Sequence, residues 1–166
     1  TPSDPEKAID FWLGARSLAV LALLTIAVRP WTAAVSKRSR FAALAVVLGV
    51  VGGLHWLFLF HPEWTPPTFV PGQGLTLFKV GSEYVLIALS LMTALIFWRR
   101  RHEHASANVV WLLGAAYAMA LSEFLFTLYA GVTDIYNLLG HLYKIVAYVF
   151  LYRGIFLATI DRPYTQ

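Results

Sequence analysis

The feature that most restricts this chain is a succession of apolar runs, each about twenty residues long. A helix rises 1.5 Å per residue, so about 20 apolar residues cross the roughly 30 Å hydrocarbon layer of a bilayer. Five such runs can be marked, at about residues 8–28, 41–60, 75–98, 109–130 and 135–160. In lipid every backbone N–H and C=O must be satisfied within its own segment, which makes runs of this length helices. The expected fold is therefore all-α: an integral membrane bundle of about five transmembrane helices, forming a single domain over residues 1–166. Composition agrees. Charged residues make up 13% of the chain, where a soluble domain carries about a quarter.

The boundaries have local causes. Pro30 closes the first run, because proline cannot continue a helix. The second ends at His61-Pro62 and is followed by a loop holding Pro62, Pro66, Pro67, Pro71, Gly72 and Gly74, expected to be irregular and ordered by its prolines. Its Gly72-Gln73-Gly74 is no phosphate loop, since no strand precedes it and no Lys-Ser/Thr follows at the required spacing. Only a few residues around Gly131 and Asp134 join the last two runs, which makes them an antiparallel hairpin. The absence of cysteine excludes disulfides, iron–sulfur clusters and thiolate-zinc sites.

The net charge of +4 does not point to nucleic acid, because the basic residues sit mainly in short loops. There they set orientation. Lys37, Arg38 and Arg40 lie between the first two spans, Arg99, Arg100 and Arg101 between the third and fourth, and Arg162 after the fifth. The other two loops contain neither Lys nor Arg. The basic loops and the C-terminus are thus expected in the cytoplasm and the N-terminus outside, in a multi-pass membrane protein. Trp31, Trp98 and Trp111 would mark the inner boundary, and Trp12, Trp56 and Trp64 the outer one.

Ionisable residues inside a span face the bundle interior or a cavity, and they often mark function. Arg16, Glu83 and Glu123 lie about eight residues in from the outer ends of their spans, roughly 10–13 Å deep. His55 and His141 lie about 9 Å deep, with Lys79 shallower and Lys144 deeper. Lys79 and Glu83 are i and i+4, so they share a helix face. Asn137, His141, Lys144 and Tyr148 make a polar stripe on the last helix, while Ser122, Glu123 and Thr127 cluster near Tyr129 on the fourth. All five helices are expected to contribute to one slab. Taken singly, such residues are more often structural: a Lys–Glu pair satisfies itself, and Ser or Thr bonds to its own helix. His61 and Glu63 read as loop residues, His102 and His104 as solvated, and Arg153 as snorkelling to the phosphates.

Seven ionisable residues at one depth define the candidate ligand site: Arg16, His55, Lys79, Glu83, Glu123, His141 and Lys144. The modest positive excess favours an anionic or quinone-like ligand. His55 and His141, on different helices, also permit axial ligation of a b-type haem. No metal-ligand spacing, nucleophile–base pair or phosphate loop argues for catalysis. The expected partners are the lipid bilayer and either further copies of the chain or other membrane subunits.

Several strings carry a family resemblance. They are Phe69-Val70-Pro71-Gly72-Gln73-Gly74-Leu75-Thr76-Leu77-Phe78-Lys79 with Ser82-Glu83-Tyr84, then Ser122-Glu123-Phe124-Leu125-Phe126-Thr127-Leu128-Tyr129. Asn137-Leu138-Leu139-Gly140-His141-Leu142 with Lys144, Tyr152-Arg153 and Arg162-Pro163-Tyr164 follow, and Phe11-Trp12-Leu13-Gly14-Ala15-Arg16 precedes them. In this order they resemble the third class of bacterial membrane-associated sensor domains. The resemblance implies a non-catalytic sensory input module, of a kind that sits at the N-terminus of histidine kinases or of enzymes that make or degrade cyclic di-GMP. It assigns the site to Arg16, Lys79, Glu83, Glu123, His141 and Lys144, and leaves His55 to the depth argument alone. Members usually carry further spans before the Trp-x-x-x-Arg segment and an effector after the last helix. This chain, which starts at Thr1 without methionine, is thus expected to be a longer sensor cut at both ends, or a sensor-like bundle reused alone. In the second case it would be an accessory subunit holding a haem, quinone, pigment or lipid in a redox or photosynthetic complex.

Overall fold

A computed structural model describes residues 5–29, 36–70, 72–101, 107–128 and 134–160. Five long helices account for most of them: α1 (Pro5–Val28), α2 (Lys37–Phe60), α3 (Leu77–Arg100), α4 (Ala107–Leu128) and α5 (Ile135–Ile160). Side-chain caps set two of the starts. The Ser36 hydroxyl accepts from the Ser39 N–H, and the Thr76 hydroxyl accepts from the Lys79 N–H, each at 3.3 Å. Four helices are long and apolar enough to cross a membrane: Glu6–Val28, Arg38–Phe60, Leu77–Arg100 and Asn108–Leu128. Those four spans are counted among the described residues, and the side chains at the end of α5 lie outside them. At 26 residues α5 is the longest helix, and Asn137, His141, Lys144 and Arg153 interrupt its apolar residues.

The helices pack in the order α2, α1, α3, α4, α5, with the most extensive contact between α4 and α5 and the least between α1 and α2. An apolar core fills one half of the row: Leu23 and Ala27 of α1, Ala94 and Phe97 of α3, Val109, Leu112, Ala116 and Met119 of α4, and Ala147 of α5. At that end Arg100 donates to the carbonyls of Ala27, Val28 and Arg29 at 2.8, 3.2 and 2.9 Å. It thereby satisfies the orphan acceptors at the end of α1. Arg101 lies over the Trp98 ring at 3.3 Å, and Arg153 over Trp111 at 5.1 Å. Trp31 and Arg162, two of the orientation markers, lie outside the described residues, as does the turn between α4 and α5.

Between α2 and α3 the proline-rich loop is more regular than expected. Phe69–Val70 and Gly74–Leu75 form a two-stranded antiparallel hairpin, β1 and β2, with Phe69 opposite Leu75. Gly72 and Gly74 adopt φ of 83° and 87°, which lets the chain reverse so tightly. The loop is pinned to α1 by the Thr68 hydroxyl, which donates to Asp10 Oδ1 at 2.8 Å.

A single 3-10 turn, Pro62–Trp64, precedes the hairpin. Here His61 stacks on Trp64 with centroids 4.4 Å apart and meets Trp56 at 4.3 Å. His61 Nδ1 lies 3.1 Å from Glu63 Oε1. A bond from its own backbone N–H, and then the His61 contact, hold the Glu63 carboxyl below its ordinary 4.5. A depressed carboxylate pKa contributes stability that is complete above the unfolded value and lost as pH falls through the folded one. The Trp56/Trp64 emission is therefore expected to show an acid transition below the ordinary carboxylate value of 4.5. Glu63→Gln should abolish that acid transition in a fluorescence titration.

Candidate functional site

The half of the bundle where α1, α3 and α5 begin holds charge where the other half holds the apolar core. Arg16 of α1, Lys79 and Glu83 of α3, Glu123 of α4 and Lys144 of α5 are all buried, none more than 4% exposed. They reach one another from different heights. Arg16 is about three turns into α1, Glu83 under two turns into α3, and Glu123 about a turn and a half from the end of α4. The structure reconciles these offsets because α1 starts at Pro5, beyond the apolar run.

Arg16 is the hub. One guanidinium nitrogen pairs with Glu83 Oε1, and Nη1 lies 2.8 Å from Glu123 Oε2. Each carboxylate also holds a lysine. Lys79 Nζ is 2.9 Å from Glu83 Oε1, as the i, i+4 spacing predicts, and Lys144 Nζ is 2.5 Å from Glu123 Oε1. Lys79 also donates to the Phe126 carbonyl at 3.4 Å. The Arg16 guanidinium rests over the Phe126 ring, 5.0 Å from its centroid. Three cations thus face two carboxylates across four helices, the geometry in which a buried charge is tolerable. Arg16 Nε and Glu83 Oε2 are buried without a hydrogen-bond partner among the described residues. Both residues also line a cavity of about 20 Å³ with Trp12 and Asn137, a volume on the order of one water molecule.

Around the charges the backbone approach is close. The Ser122 hydroxyl donates to the Gly140 carbonyl at 2.8 Å, tying α4 to α5. A Cβ on Gly140 would fall 2.7 Å from the Phe126 ring. His141 sits beside the network between Trp12, stacked at 5.4 Å, and the edge of Phe126 at 5.1 Å.

Six of the seven candidate residues are therefore gathered in one place: five in the ion-pair network and His141 against its aromatic wall. His55 is not among them. It packs on Phe11 at 5.0 Å, and its Nδ1–H donates to the Val51 carbonyl at 2.8 Å. So α2 adds nothing to the network, contrary to the expectation that all five helices would. His55 and His141 have no ring neighbour in common among the described contacts. No group of three or more His, Asp or Glu is placed to hold a metal among the described residues. Sequence reading passed over Asp10, which is buried and bonded to Thr68, and Phe126, which touches three members of the site. Asp10 lies at the edge of its apolar run, where an acid attracts no notice, and nothing in the sequence distinguishes Phe126 from a lipid-facing aromatic.

An all-helical, multi-pass membrane bundle whose interior is an ion-pair network is the class of protein that fold and site define. The model of the membrane-associated sensor domain family, MASE3, matches residues 1–163, and the chain belongs to that family. Neither the curated proteins nor the solved structures gave a match.

Proposed function

We propose that this domain is the sensory input element of a bacterial inner-membrane protein and that the Arg16 network is its switch. In this reading the N-terminal end of α1 faces outward, and the network binds a small ligand or changes protonation in the outer half of the bilayer. The basic loops and the end of α5 face the cytoplasm, where α5 passes the change to an output domain.

One observation carries the reading: a single guanidinium is shared between carboxylates on two different helices, and the second carboxylate also holds α5. Such a junction has distinct states. Neutralising either glutamate leaves more cations than the remaining carboxylate can hold, and like charges then push their helices apart. A network that served packing alone could use self-contained pairs such as Lys79–Glu83.

The test is made in the full-length protein with its output domain. Glu123→Gln and His141→Ala are both expected to lock or abolish the stimulus response. His141 takes part in no ion pair among the described residues, so its variant leaves every ion pair of the network in place and separates signalling from folding. Unchanged output in both variants would defeat the reading.

A further inference from the structure

Outside the network a crevice of about 380 Å³ opens between α1 and α2, within the roughly 300–1,000 Å³ range of small-molecule sites. Its walls are aromatic and aliphatic: Phe11, Trp12, Leu18, Leu54 and Phe58. Phe11 meets Phe58 edge-on at 5.3 Å, which fixes the shape of one side. Gly14 lets α1 approach, since a Cβ there would lie 3.2 Å from the Phe58 ring. The α2 helix packs chiefly on α1 and is exposed along most of its length, so the crevice is reached from the lipid.

Apart from the Trp12 indole, the polar side chain in this lining is His55, and its hydrogen-bond character is set. A carbonyl oxygen only accepts, so the bond to Val51 places the ring hydrogen on Nδ1. In the neutral ring Nε2 then presents a lone pair. A lone pair in apolar surroundings calls for a donor. The complement of the crevice is a flat apolar body that carries a hydroxyl and dissolves in the membrane. We propose that the α1–α2 crevice binds a membrane-soluble hydroquinone, its ring among Phe11, Trp12 and Phe58 and a hydroxyl donating to His55 Nε2. The oxidised quinone offers acceptors only and leaves the His55 Nε2 lone pair unmet, so the site favours the reduced form over the oxidised.

This assignment moves the quinone-like ligand from the charged band, whose groups are engaged with one another, to a neighbouring site. The two share a wall. Trp12 lines the crevice, borders the 20 Å³ cavity and stacks on His141. A ring that shifts Trp12 therefore acts directly on the network, and this coupling, unlike the binding itself, rests on the network being the switch.

The experiment uses the full chain in phosphatidylcholine nanodiscs, held anaerobically. Retention of a radiolabelled decyl hydroquinone is compared with that of the matching benzoquinone and of a decyl cyclohexanol, and nanodiscs without protein give the background. Saturable retention of the hydroquinone is expected, with the benzoquinone and the cyclohexanol each weaker by about tenfold, the scale of one buried hydrogen bond or of lost ring packing. His55→Phe, a change at an exposed position that leaves the fold intact by circular dichroism, should weaken the hydroquinone by a similar factor. Retention no greater than in protein-free discs, equal retention of all three probes, or full binding by His55→Phe would each overturn the proposal. Binding is read without any output domain, so it can fail while Glu123→Gln still blocks signalling, and the reverse.

Discussion

Replacing Glu123 by leucine is expected to destabilise the bundle by about 3–5 kcal/mol, the usual consequence of removing one partner from a buried ion pair. Glu123 holds both Lys144 and Arg16, so the variant leaves three buried cations facing Glu83 alone. Adding Lys144→Leu should recover more than half of the loss, because the double variant returns to a surplus of one cation. Arg16→Leu makes the sharper comparison. It removes the hub and its contacts, yet it leaves Lys79 with Glu83 and Lys144 with Glu123 in two balanced pairs. If charge balance governs, Arg16→Leu is milder than Glu123→Leu. Denaturant unfolding in dodecyl maltoside measures all three, and Lys144→Leu alone completes the double-mutant cycle. A double variant no more stable than Glu123→Leu would contradict the account.

Gly140→Val is expected to have the next largest effect, a loss of about 1–3 kcal/mol from overpacking. A Cβ at this position would sit within 3.0 Å of three atoms of the Phe126 ring. Phe126 is buried and hemmed in, with His141 against it in a T-shaped contact and Arg16 over its face. Moving α5 instead would strain the Ser122 bond to the Gly140 carbonyl. Phe126→Leu should rescue part of the loss by clearing the ring. At Gly114 a Cβ would meet Phe150 at 2.8 Å, but Phe150 is only half-buried. Gly114→Ala should therefore be tolerated better. Thermal unfolding of the three variants orders them, and equal losses at the two glycines would refute the argument from ring mobility.

How much of this was legible in the sequence depends on what a periodic pattern encodes. Apolar run length predicts helices, and all five form, four of them long and apolar enough to span among the described residues. The i, i+4 step of Lys79 and Glu83 predicts a pair, which forms. Depth arithmetic gives height along a helix but not direction around it, and His55 shows the difference. It lies at the depth of the band, yet its helix is apolar on every side and lies at the end of the row, facing α1 and lipid. Hydropathy could not say that, because no polar face singles out which side of α2 packs. Gly140 and Phe126 were hidden for a similar reason: their importance lies in a distance across two helices. The Asp10–Thr68 bond joins residues 58 positions apart, beyond the reach of any local spacing rule.

The placement of Arg16 bears on how the protein is made. Its two acids come later in the chain, the first of them 67 positions on. When α1 leaves the ribosome it carries a lone guanidinium, worth about 2.5–3.5 kcal/mol against insertion near the middle of a helix. By contrast α3 is synthesised with Lys79 and Glu83 already in step, so its charges enter the bilayer as a pair. Arg16 gains its first acid only when α3 brings Glu83 and its second when α4 brings Glu123. A ribosome stalled after α2 would leave Arg16 in the bilayer without either of its acidic partners.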